Sequence, residues 1–357
     1  MKNLAYRIIG VMSGTSLDGI DLVLVDFVRD EGVWGFDIVT AETIAYPEEW
    51  KRKLEKCSLL SRVQIDHLNL EYTDYLAETI LNFLKEHEIA KVDVEAICSH
   101  GHTVWHRPEN GLTIQIGNLS ALAKKTGVKV VCDFRVQDVE LGGQGAPLVP
   151  IGDQMLFKEF DYCLNLGGFA NISLEMNKTR IAYDICAVNT VLNFLSQELG
   201  HEFDEDGNIA ASGTINDFLL NQFNEINFYK QPPPKSLGVE WVAKNVVPLL
   251  AASKISIKDK ISTYTYHVGQ QIAHHLKGND SKKVLITGGG AFNATLIKYI
   301  QSMSEVKVVI PSAKIIEYKE ALIFGFLGVL RMRKEINVIK SVTGASKSHS
   351  SGKIYLP

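Results

Sequence analysis

The strongest constraint on the fold is an order of secondary-structure elements that occurs twice along the chain. In the first half, apolar and alternating runs predict three strands, a helix, a strand, a helix and a strand, at 6–12, 20–28, 36–46, 61–87, 94–99, 119–125 and 128–132. In the second half we expect strands at 162–166, 171–175, 180–184, 284–287 and 306–310, and helices at 189–199, 239–252, 260–276, 293–303 and 318–333. Two matching halves at so long a period predict a duplicated α/β domain rather than a solenoid.

Length and composition agree with two domains and exclude several classes of protein. A chain of 357 residues is too long for one compact core. Its 37 Lys and Arg against 41 Asp and Glu give a net charge of −4, so we expect no nucleic-acid partner. No apolar run approaches the ~20 residues of a membrane helix, and the N-terminus does not resemble a signal peptide, so we expect a cytoplasmic protein with no membrane partner.

The cysteines are odd in number and widely spaced, and none lies in a C-x-x-C pair. This pattern indicates reduced, mostly buried thiols rather than a disulfide framework or a zinc site. The residues are Cys57, Cys98, Cys132, Cys163 and Cys186.

Residues 133–150 are rich in glycine and suit a crossing between the two domains. The sequence predicts a first domain formed by 1–134 with the C-terminal tail 335–357, and a second formed by 135–334. We expect the domains to close by a hinge near the crossing. The Pro-rich run 231–234 predicts a stiff surface loop, and the Ser- and Gly-rich tail after Lys340 is expected to be irregular.

The loop between the first two strands is the strongest local signal for chemistry. Glycines allow a backbone to approach phosphate oxygens, and successive N–H groups form an anion-binding nest. An acidic residue beside such a nest can hold Mg²⁺, directly or through water, and Asp18 is the candidate. A plain hairpin turn is the alternative, but this loop is longer and more polar than a hairpin needs. The predicted phosphate-binding residues are Ser13, Gly14, Thr15, Ser16, Leu17, Asp18, Gly19 and Asp21.

A second glycine-lined loop occupies the equivalent position of the second half, with Gly167, Gly168 and Asn171. A pair of such loops in a duplicated fold can bind a polyphosphate from both sides. A third run, Gly288 to Gly290, falls between a strand and a helix, where open α/β sheets bind ligands, although it also suits a tight turn. The chain has no G-x-x-x-x-G-K-[ST] motif, which disfavours a P-loop NTPase.

This arrangement resembles the actin/hexokinase/Hsp70 superfamily, in which two ribonuclease H-like domains flank an active-site cleft. More narrowly, the chain resembles the anhydro-N-acetylmuramic acid kinases from Gly10 to about Ser346. The motifs that carry the resemblance are MSGTSLDGID, SHGHTVWHRP, TIQIG, CDFRVQDVELGGQGAPLVP, LNLGGFANIS, ITGGGAFN and KSVTGAS. The resemblance implies duplicated domains, each with a mixed five-stranded sheet in the order βββαβαβα.

The resemblance also implies an activity in cell-wall sugar recycling. ATP, water and 1,6-anhydro-N-acetylmuramic acid would give N-acetylmuramic acid 6-phosphate and ADP. Such a reaction needs a base for the water, a phosphate cradle with Mg²⁺, and closure that limits wasteful ATP hydrolysis. The family further suggests a homodimer.

Asp184 is the predicted base, because it matches the family's catalytic aspartate in a segment that usually reads Asp-x-Gly-Pro-Gly-Asn. This chain departs from that segment, since Cys186-Ala187-Val188 stands where the family has Gly-Pro-Gly. We expect Asp184 at the end of its strand. The alternative is a cap for the helix near Asn189, but an offset of five residues exceeds the reach of a cap side chain.

Three residues are candidates for sugar binding because they match family motifs. Arg135 would pair with the lactyl carboxylate, since its planar fork suits bidentate recognition, and a surface salt bridge is the alternative. Thr103 would face the sugar. Glu320 resembles a substrate-contacting glutamate, although a solvated position on an amphipathic helix explains it equally.

The histidines at 100, 102 and 106 invite a metal interpretation, but no matching Cys or carboxylate cluster accompanies them. Structural or substrate-lining roles are favoured. Two other functions stay open: a kinase of the same superfamily with another acceptor, and an Hsp70-like ATPase module. The module is disfavoured because no peptide-binding domain follows the predicted nucleotide domains.

Overall fold

The computed structural model describes residues 4–14 and 16–357. The chain forms two compact units, and each has its own sheet and core. The first unit combines Met1–Leu156 with Tyr318–Pro357, and the second is Phe157–Glu317.

The strands, numbered along the chain, are β1 Leu4–Ser13, β2 Gly19–Asp30, β3 Val33–Ala45, β4 Ala96–Arg107, β5 Leu112–Ile116, β6 Val130–Cys132, β7 Tyr162–Leu166, β8 Phe169–Met176, β9 Thr179–Ala187, β10 Lys283–Thr287, β11 Lys307–Val309 and β12 Lys353–Tyr355. The α-helices are α1 Glu48–Glu55, α2 Arg62–Glu86, α3 Ala121–Thr126, α4 Val136–Glu140, α5 Pro150–Leu156, α6 Asn189–Gln197, α7 Asn208–Ser212, α8 Asp217–Asn224, α9 Val239–Asn245, α10 Val247–Ala252, α11 Ile257–His275, α12 Ala294–Met303, α13 Ala313–Met332 and α14 Lys340–Thr343.

The two sheets share one topology. In the first unit the strand order is β12-β6-β4-β1-β2-β3, with β5 paired to β4. β2 is antiparallel to β1 and β3, whereas β4 is parallel to β1 and β6. In the second unit the strand order is β11-β10-β7-β8-β9. Here β8 is antiparallel to β7 and β9, whereas β10 is parallel to β7 and β11. Five strands in the same order and sense confirm a duplicated ribonuclease H-like α/β fold.

Helix α2 follows directly from its sequence. The Ser61 side chain accepts a hydrogen bond from the Gln64 N–H, and the Gln64 side chain accepts one from the Ser61 N–H, forming a capping box. The residues that recur at helical spacing are buried in the core of the first unit, where they pack under β1, β2 and β4. They include Ile65, Leu68, Tyr72, Leu76, Ile80 and Phe83.

Several elements differ from the sequence prediction. The strand expected at 94–99 continues to Arg107, with a register shift between Thr103 and Trp105, and then pairs with β5, which was not predicted. The helix expected at 239–252 is divided into α9 and α10. The division falls where Pro248, which lacks a backbone N–H, occupies the first turn of α10.

The tail after Lys340 contains a short helix and a short strand and is irregular only outside them, so this prediction was wrong in part. Helix α14 lies within it, and β12 pairs antiparallel with β6. The Ser351 hydroxyl donates to the Phe134 carbonyl, and the Asn337 amide donates to the Ser351 carbonyl. Backbone groups that are buried need such partners, and here the tail supplies them.

The division into units also differs from the predicted boundaries at 134/135 and 334/335. Asp138 is fully buried in the first unit, where its carboxylate accepts from the Gly145 N–H and the Thr343 hydroxyl. These bonds join residues after 135 to the C-terminal tail. The five cysteines are buried, as expected. No helix of the described residues is long and apolar enough to span a bilayer.

Candidate active site

The first glycine loop connects β1 to β2 in the first unit. Ser16 and Asp18 are exposed, and the Leu17 N–H donates to the Gly14 carbonyl at 3.4 Å. Leu17 has a φ of 62°, which places an unusual left-handed residue at the tip of the loop. Thr15, which was predicted to bind phosphate, lies outside the described residues.

The base of this loop is anchored in the core. Ser13 is 3% exposed, and its hydroxyl lies 2.6 Å from the Tyr46 hydroxyl and 2.8 Å from His102 Nδ1. At the other end, a Cβ on Gly19 would lie 2.5 Å from the Ile44 carbonyl oxygen, so only glycine fits there. Asp21 accepts a hydrogen bond from the Thr43 hydroxyl at 2.7 Å.

Asp18 offers the oxygen ligands that Mg²⁺ prefers. Among residues 4–14 and 16–357, no group of three or more His, Cys, Asp or Glu side chains is placed to hold a metal. Mg²⁺ usually keeps several waters and is bound through one or two carboxylates plus substrate phosphates. An exposed Asp18 beside a glycine loop fits that mode, and the histidines at 100, 102 and 106 form no metal cluster.

Arg135 is positioned by its neighbours in the first unit. Its Nε donates to His100 Nε2 at 2.9 Å, and its Nη1 donates to the Gly145 carbonyl at 2.6 Å. Its guanidinium carbon lies 5.9 Å from the centre of the Phe324 ring. Burial lowers the pKa of Arg135 to about 10, opposed by the charges of Glu320 and Asp138. The residue therefore stays charged at neutral pH, and it does not form a surface salt bridge.

His100 determines the orientation of the Arg135 fork. Its Nδ1 lies 2.8 Å from the Gly101 carbonyl oxygen, which can only accept, so Nδ1 carries the proton and Nε2 accepts from Arg135. Burial, reinforced by the Arg135 charge, holds the pKa of His100 well below its usual value. A neutral histidine thus holds the cation without adding a second charge.

Glu320 and Thr103 lie in the same unit. Desolvation raises the pKa of Glu320, and the positive charges of Arg135 and Lys319 oppose this rise. Because the Glu320 side chain is exposed to solvent, water screens much of this pKa shift. Thr103 is half-buried, and its hydroxyl accepts from the Gln115 side chain at 3.3 Å.

The second unit brings its glycine-lined segments together. Gly288 has a φ of 79°, and a Cβ there would lie 2.7 Å from Asn165 Oδ1 and 2.8 Å from the Leu166 carbonyl carbon. The Gly168 carbonyl accepts from the N–H groups of Val188 and Thr190, which begin α6. The turn at 167–168, the run 288–290 and the start of α6 therefore form one cluster.

Asp184 lies within β9 rather than at a strand end, so that detail of the prediction was wrong. It pairs with Asn171 next to a register shift in the β8–β9 ladder. Its Oδ2 accepts from the Leu237 N–H at 2.8 Å, and its own N–H donates to the Lys235 carbonyl at 3.0 Å. Burial raises the pKa of Asp184, and the Leu237 N–H partly offsets the rise. The N-cap of α6 is Val188, so Asp184 does not cap it.

Sequence reasoning missed the segment that holds Asp184. The proline run at 231–234 predicted only a stiff loop. In the structure, the residues just after it bind Asp184: the Leu237 N–H donates to its carboxylate, and the Lys235 carbonyl accepts from its backbone N–H. The segment Cys186-Ala187-Val188 is fully buried in the core of the second unit, and the Ala187 carbonyl accepts from the Tyr264 hydroxyl at 3.0 Å. The side chains that stand where the family has Gly-Pro-Gly are therefore buried in the core of the second unit.

Comparisons with known proteins agree with the motifs. The family model for anhydro-N-acetylmuramic acid kinase matches residues 6–357. A protein of that name from Actinobacillus pleuropneumoniae serotype 5b is 34% identical over 97% of this chain and 98% of its own. Its namesake from Haemophilus influenzae is 32% identical over 97% of each chain. Among solved structures, the activator of 2-hydroxyisocaproyl-CoA dehydratase from Clostridium difficile is 14% identical, covers 90% of this chain and 94% of its own, and has a TM-score of 0.42, too distant to bear on function. The chain belongs to the anhydro-N-acetylmuramic acid kinase family.

Proposed function

We propose that this protein opens the 1,6-anhydro ring of anhydro-N-acetylmuramic acid with water and phosphorylates O6 with ATP. The products would be N-acetylmuramic acid 6-phosphate and ADP, which places the enzyme in cell-wall sugar recycling. Family membership over residues 6–357 supports a kinase that uses ATP and a small sugar. The observation that carries the proposed chemistry is the setting of Asp184.

Asp184 suits the role of general base. The Leu237 N–H occupies Oδ2, while no hydrogen bond from the described residues reaches Oδ1, so Oδ1 is available for a water molecule. A raised pKa brings the carboxylate closer to neutral pH, where proton abstraction is more favourable. In the proposed step the water oxygen bonds to C1, its proton passes to Asp184, and the C1–O6 bond breaks. O6 then bonds to the γ-phosphorus as the bond to ADP breaks.

We propose that the glycine-lined loops bind the phosphates of ATP. In the second unit, N–H groups at the start of α6 donate to the Gly167 and Gly168 carbonyls, which holds the turn in place. Phosphate would then bind to N–H groups of the turn itself. In the first unit, the loop from Ser13 to Gly19 provides backbone groups and Asp18. Mg²⁺ at Asp18 would neutralise phosphate charge. The remaining proposed contacts are Ser16, Asp21, Gly167, Asn171, Gly288, Gly289 and Gly290.

Arg135 is the proposed partner of the lactyl carboxylate. Its Nε and Nη1 groups donate to His100 and Gly145, and no hydrogen bond joins Nη2 to the described residues, so Nη2 can donate to a ligand anion. Thr103 and Glu320 are proposed to contact sugar hydroxyls, since both keep accessible polar atoms in the first unit.

The deciding experiment supplies anhydro-N-acetylmuramic acid, ATP and Mg²⁺ in ¹⁸O-water and analyses the product by mass spectrometry. We expect one ¹⁸O atom at C1 of the 6-phosphate. Phosphorylation without label, or ADP release only with another sugar, would contradict the proposed reaction and favour a different acceptor. Sugar-independent, peptide-stimulated ADP release would instead favour an Hsp70-like module. Omitting Mg²⁺ should abolish turnover.

Further assignments stay predictions. We propose a cytoplasmic homodimer without nucleic-acid or membrane partners. The hinge expected near residues 133–150 is not proposed again, because those residues lie within the first unit. Light scattering coupled to size-exclusion chromatography measures the oligomeric state directly. A monomer at working concentrations would contradict the dimer and leave the proposed reaction unaffected.

A further inference from the structure

A chain of four buried polar side chains lies beneath the first glycine loop. His102 Nδ1 is 2.8 Å from the Ser13 hydroxyl, which is 2.6 Å from the Tyr46 hydroxyl, which is 2.6 Å from the Tyr72 hydroxyl. Ser13, Tyr46, Tyr72 and His102 are at most 3% exposed. Side chains from β1, the end of β3, β4 and α2 therefore converge at one point below the loop.

The direction of this chain follows from counting donors. The three hydroxyl groups and the neutral His102 ring supply four protons for three hydrogen bonds, so one proton is left over. If Tyr72 donates to Tyr46, Tyr46 to Ser13 and Ser13 to His102, every hydroxyl proton is used, and the proton left over is on His102 Nε2, which is not among the buried described atoms that lack a partner. The reverse direction leaves the buried Tyr72 hydroxyl proton without an acceptor among the described residues, which costs free energy. The count assigns His102 as the neutral tautomer protonated at Nε2.

Both ends of the chain are neutral at working pH. Burial lowers the pKa of His102 to about 4 and raises the pKa of Tyr72 well above its usual value, and it raises the pKa of Tyr46 between them to about 12. The network therefore contains no charge that could attract or repel a phosphate directly. Its effect on a ligand has to act through geometry.

We propose that the Tyr72–Tyr46–Ser13–His102 chain is a positioning network that fixes the first glycine loop for nucleotide binding. Ser13 and His102 are opposed in the parallel β1–β4 register, at the point where that register shifts. Ser13 ends β1 and directly precedes Gly14, so its anchored hydroxyl sets the direction in which the loop leaves the sheet. Ser13 then acts as an anchor through its side chain and meets phosphate, if at all, through its backbone.

The network also joins the nucleotide loop to the segment that carries Thr103. Because His102 is the residue before Thr103, one hydrogen bond fixes both the proposed phosphate loop and the proposed sugar strand within the first unit. This inference rests on the proposed function. Its structural half, the direction of the chain, can be measured without any substrate.

The first test is spectroscopic. Long-range ¹H–¹⁵N spectra of the full chain labelled with ¹⁵N-histidine identify the tautomer of His102, which is assigned by the signal missing in His102→Gln. We expect a proton on Nε2 and none on Nδ1. A proton on Nδ1 would overturn the assigned direction. This result stands even if the wild-type protein releases no ADP with the anhydro sugar, an outcome that overturns only the proposed function.

The second test separates positioning from folding. Glutamine can accept the Ser13 proton whereas leucine cannot, so His102→Gln should keep kcat/KM for ATP within about threefold and His102→Leu should lose about tenfold. Ser13→Ala, which breaks two bonds, should lose at least as much as His102→Leu. The matched control is Thr79→Val, because Thr79 also lies on α2 and its buried hydroxyl donates to the Tyr75 carbonyl outside the network. Its kcat/KM should match the wild type.

A purely structural role makes a different prediction. The melting temperature would then fall in His102→Leu, Ser13→Ala and Thr79→Val alike, with kcat/KM for ATP unchanged below the transition. Equal kcat/KM values for folded His102→Leu and His102→Gln would overturn the proposal. The gap between them, together with an unchanged Thr79→Val, would establish it.

Discussion

The two units place a glycine loop after the first strand of the same sheet, but they hold it in different ways. In the first unit the loop is long, its tip is exposed, and its base is anchored in the core by Ser13 and Tyr46. In the second unit the turn at Gly167 and Gly168 is short, and backbone N–H groups at the start of α6 occupy its carbonyls. Topology thus determines where each glycine loop leaves its sheet, while local contacts determine how the loop is held.

The candidate site residues of the two units also differ in charge and in what holds them. The first unit presents a cation, Arg135, held by a neutral histidine, whereas the second presents a carboxylate, Asp184, held by a backbone N–H. We propose that the duplicated fold has diverged into a half that binds an anionic substrate and a half that abstracts a proton. Variants on each side of this division should separate the two roles, beginning with the largest effect.

Replacing Asp184 with Asn should lower kcat by about 10²–10⁴, the usual contribution of a positioned base. The amide oxygen can keep the bond from the Leu237 N–H, so the fold should be retained. Turnover is measured with the anhydro sugar and ATP, and folding by circular dichroism. The control is Asp161→Asn, since Asp161 also accepts a backbone N–H, that of Lys283, at 2.9 Å. Near-wild-type turnover in a folded Asp184→Asn variant would show that Asp184 is not the base.

Replacing Arg135 with Lys should raise KM for the sugar by about 10- to 100-fold, the loss expected from a hydrogen bond to a charged group. Lysine has one ammonium group and cannot bond His100, Gly145 and a carboxylate in the same planar geometry. KM for ATP should change much less. Arg7→Lys is the control, because Arg7 forms a two-point pair with Asp26 at 2.7 Å in the same unit. An unchanged KM for the sugar would show that Arg135 does not bind the substrate.

Alanine at Gly288 and at Gly14 should affect different properties. At Gly288 the positive φ and the nearby Asn165 and Leu166 atoms predict a loss of about 1–3 kcal/mol in the free energy of unfolding. At Gly14 the closest atom to a new Cβ is the Ser16 hydroxyl at 3.4 Å, so stability should be unchanged. KM for ATP should still rise about tenfold at Gly14, because the methyl group keeps phosphate from the backbone. Urea unfolding and ATP kinetics measure the two effects, and equal stability losses would contradict the different anchoring of the loops.

Acid should weaken both units through neutral histidines, His102 in the first, which is buried, and His275 in the second, which is half-buried. Burial lowers the pKa of His102 and of His275 to about 4 from 6.5, so the folded state keeps them neutral while the unfolded state takes up protons. Stability is therefore full above pH 6.5 and falls as the pH approaches 4, by about 1 kcal/mol per histidine near pH 5.5. His102→Gln and His275→Gln should each remove that share of the acid dependence, measured by urea unfolding at neutral and acidic pH. An acid dependence unchanged in both variants would contradict this account.

Much of the fold could be predicted from sequence because its signals are local. The helical spacing and the Ser61 cap define α2 almost to the residue, and alternation defines the first three strands. The strand β12 was missed because three residues carry too short a pattern, and its pairing with β6 depends on contacts more than 200 residues apart in the chain. The same reason explains the difference in unit boundaries, which long-range bonds of Asp138 determine.

The sequence by itself determined the duplicated fold, the family and the list of candidate residues, because periodicity and motif spacing are written in neighbouring positions. Only the tertiary structure decided what each candidate touches. It turned the Ser13 hydroxyl toward Tyr46 and His102, placed Asp184 inside a strand against Leu237, and gave Arg135 a neutral histidine as its partner. Hydrogen-bond partners and burial come from segments far apart in the chain, and no local pattern encodes them.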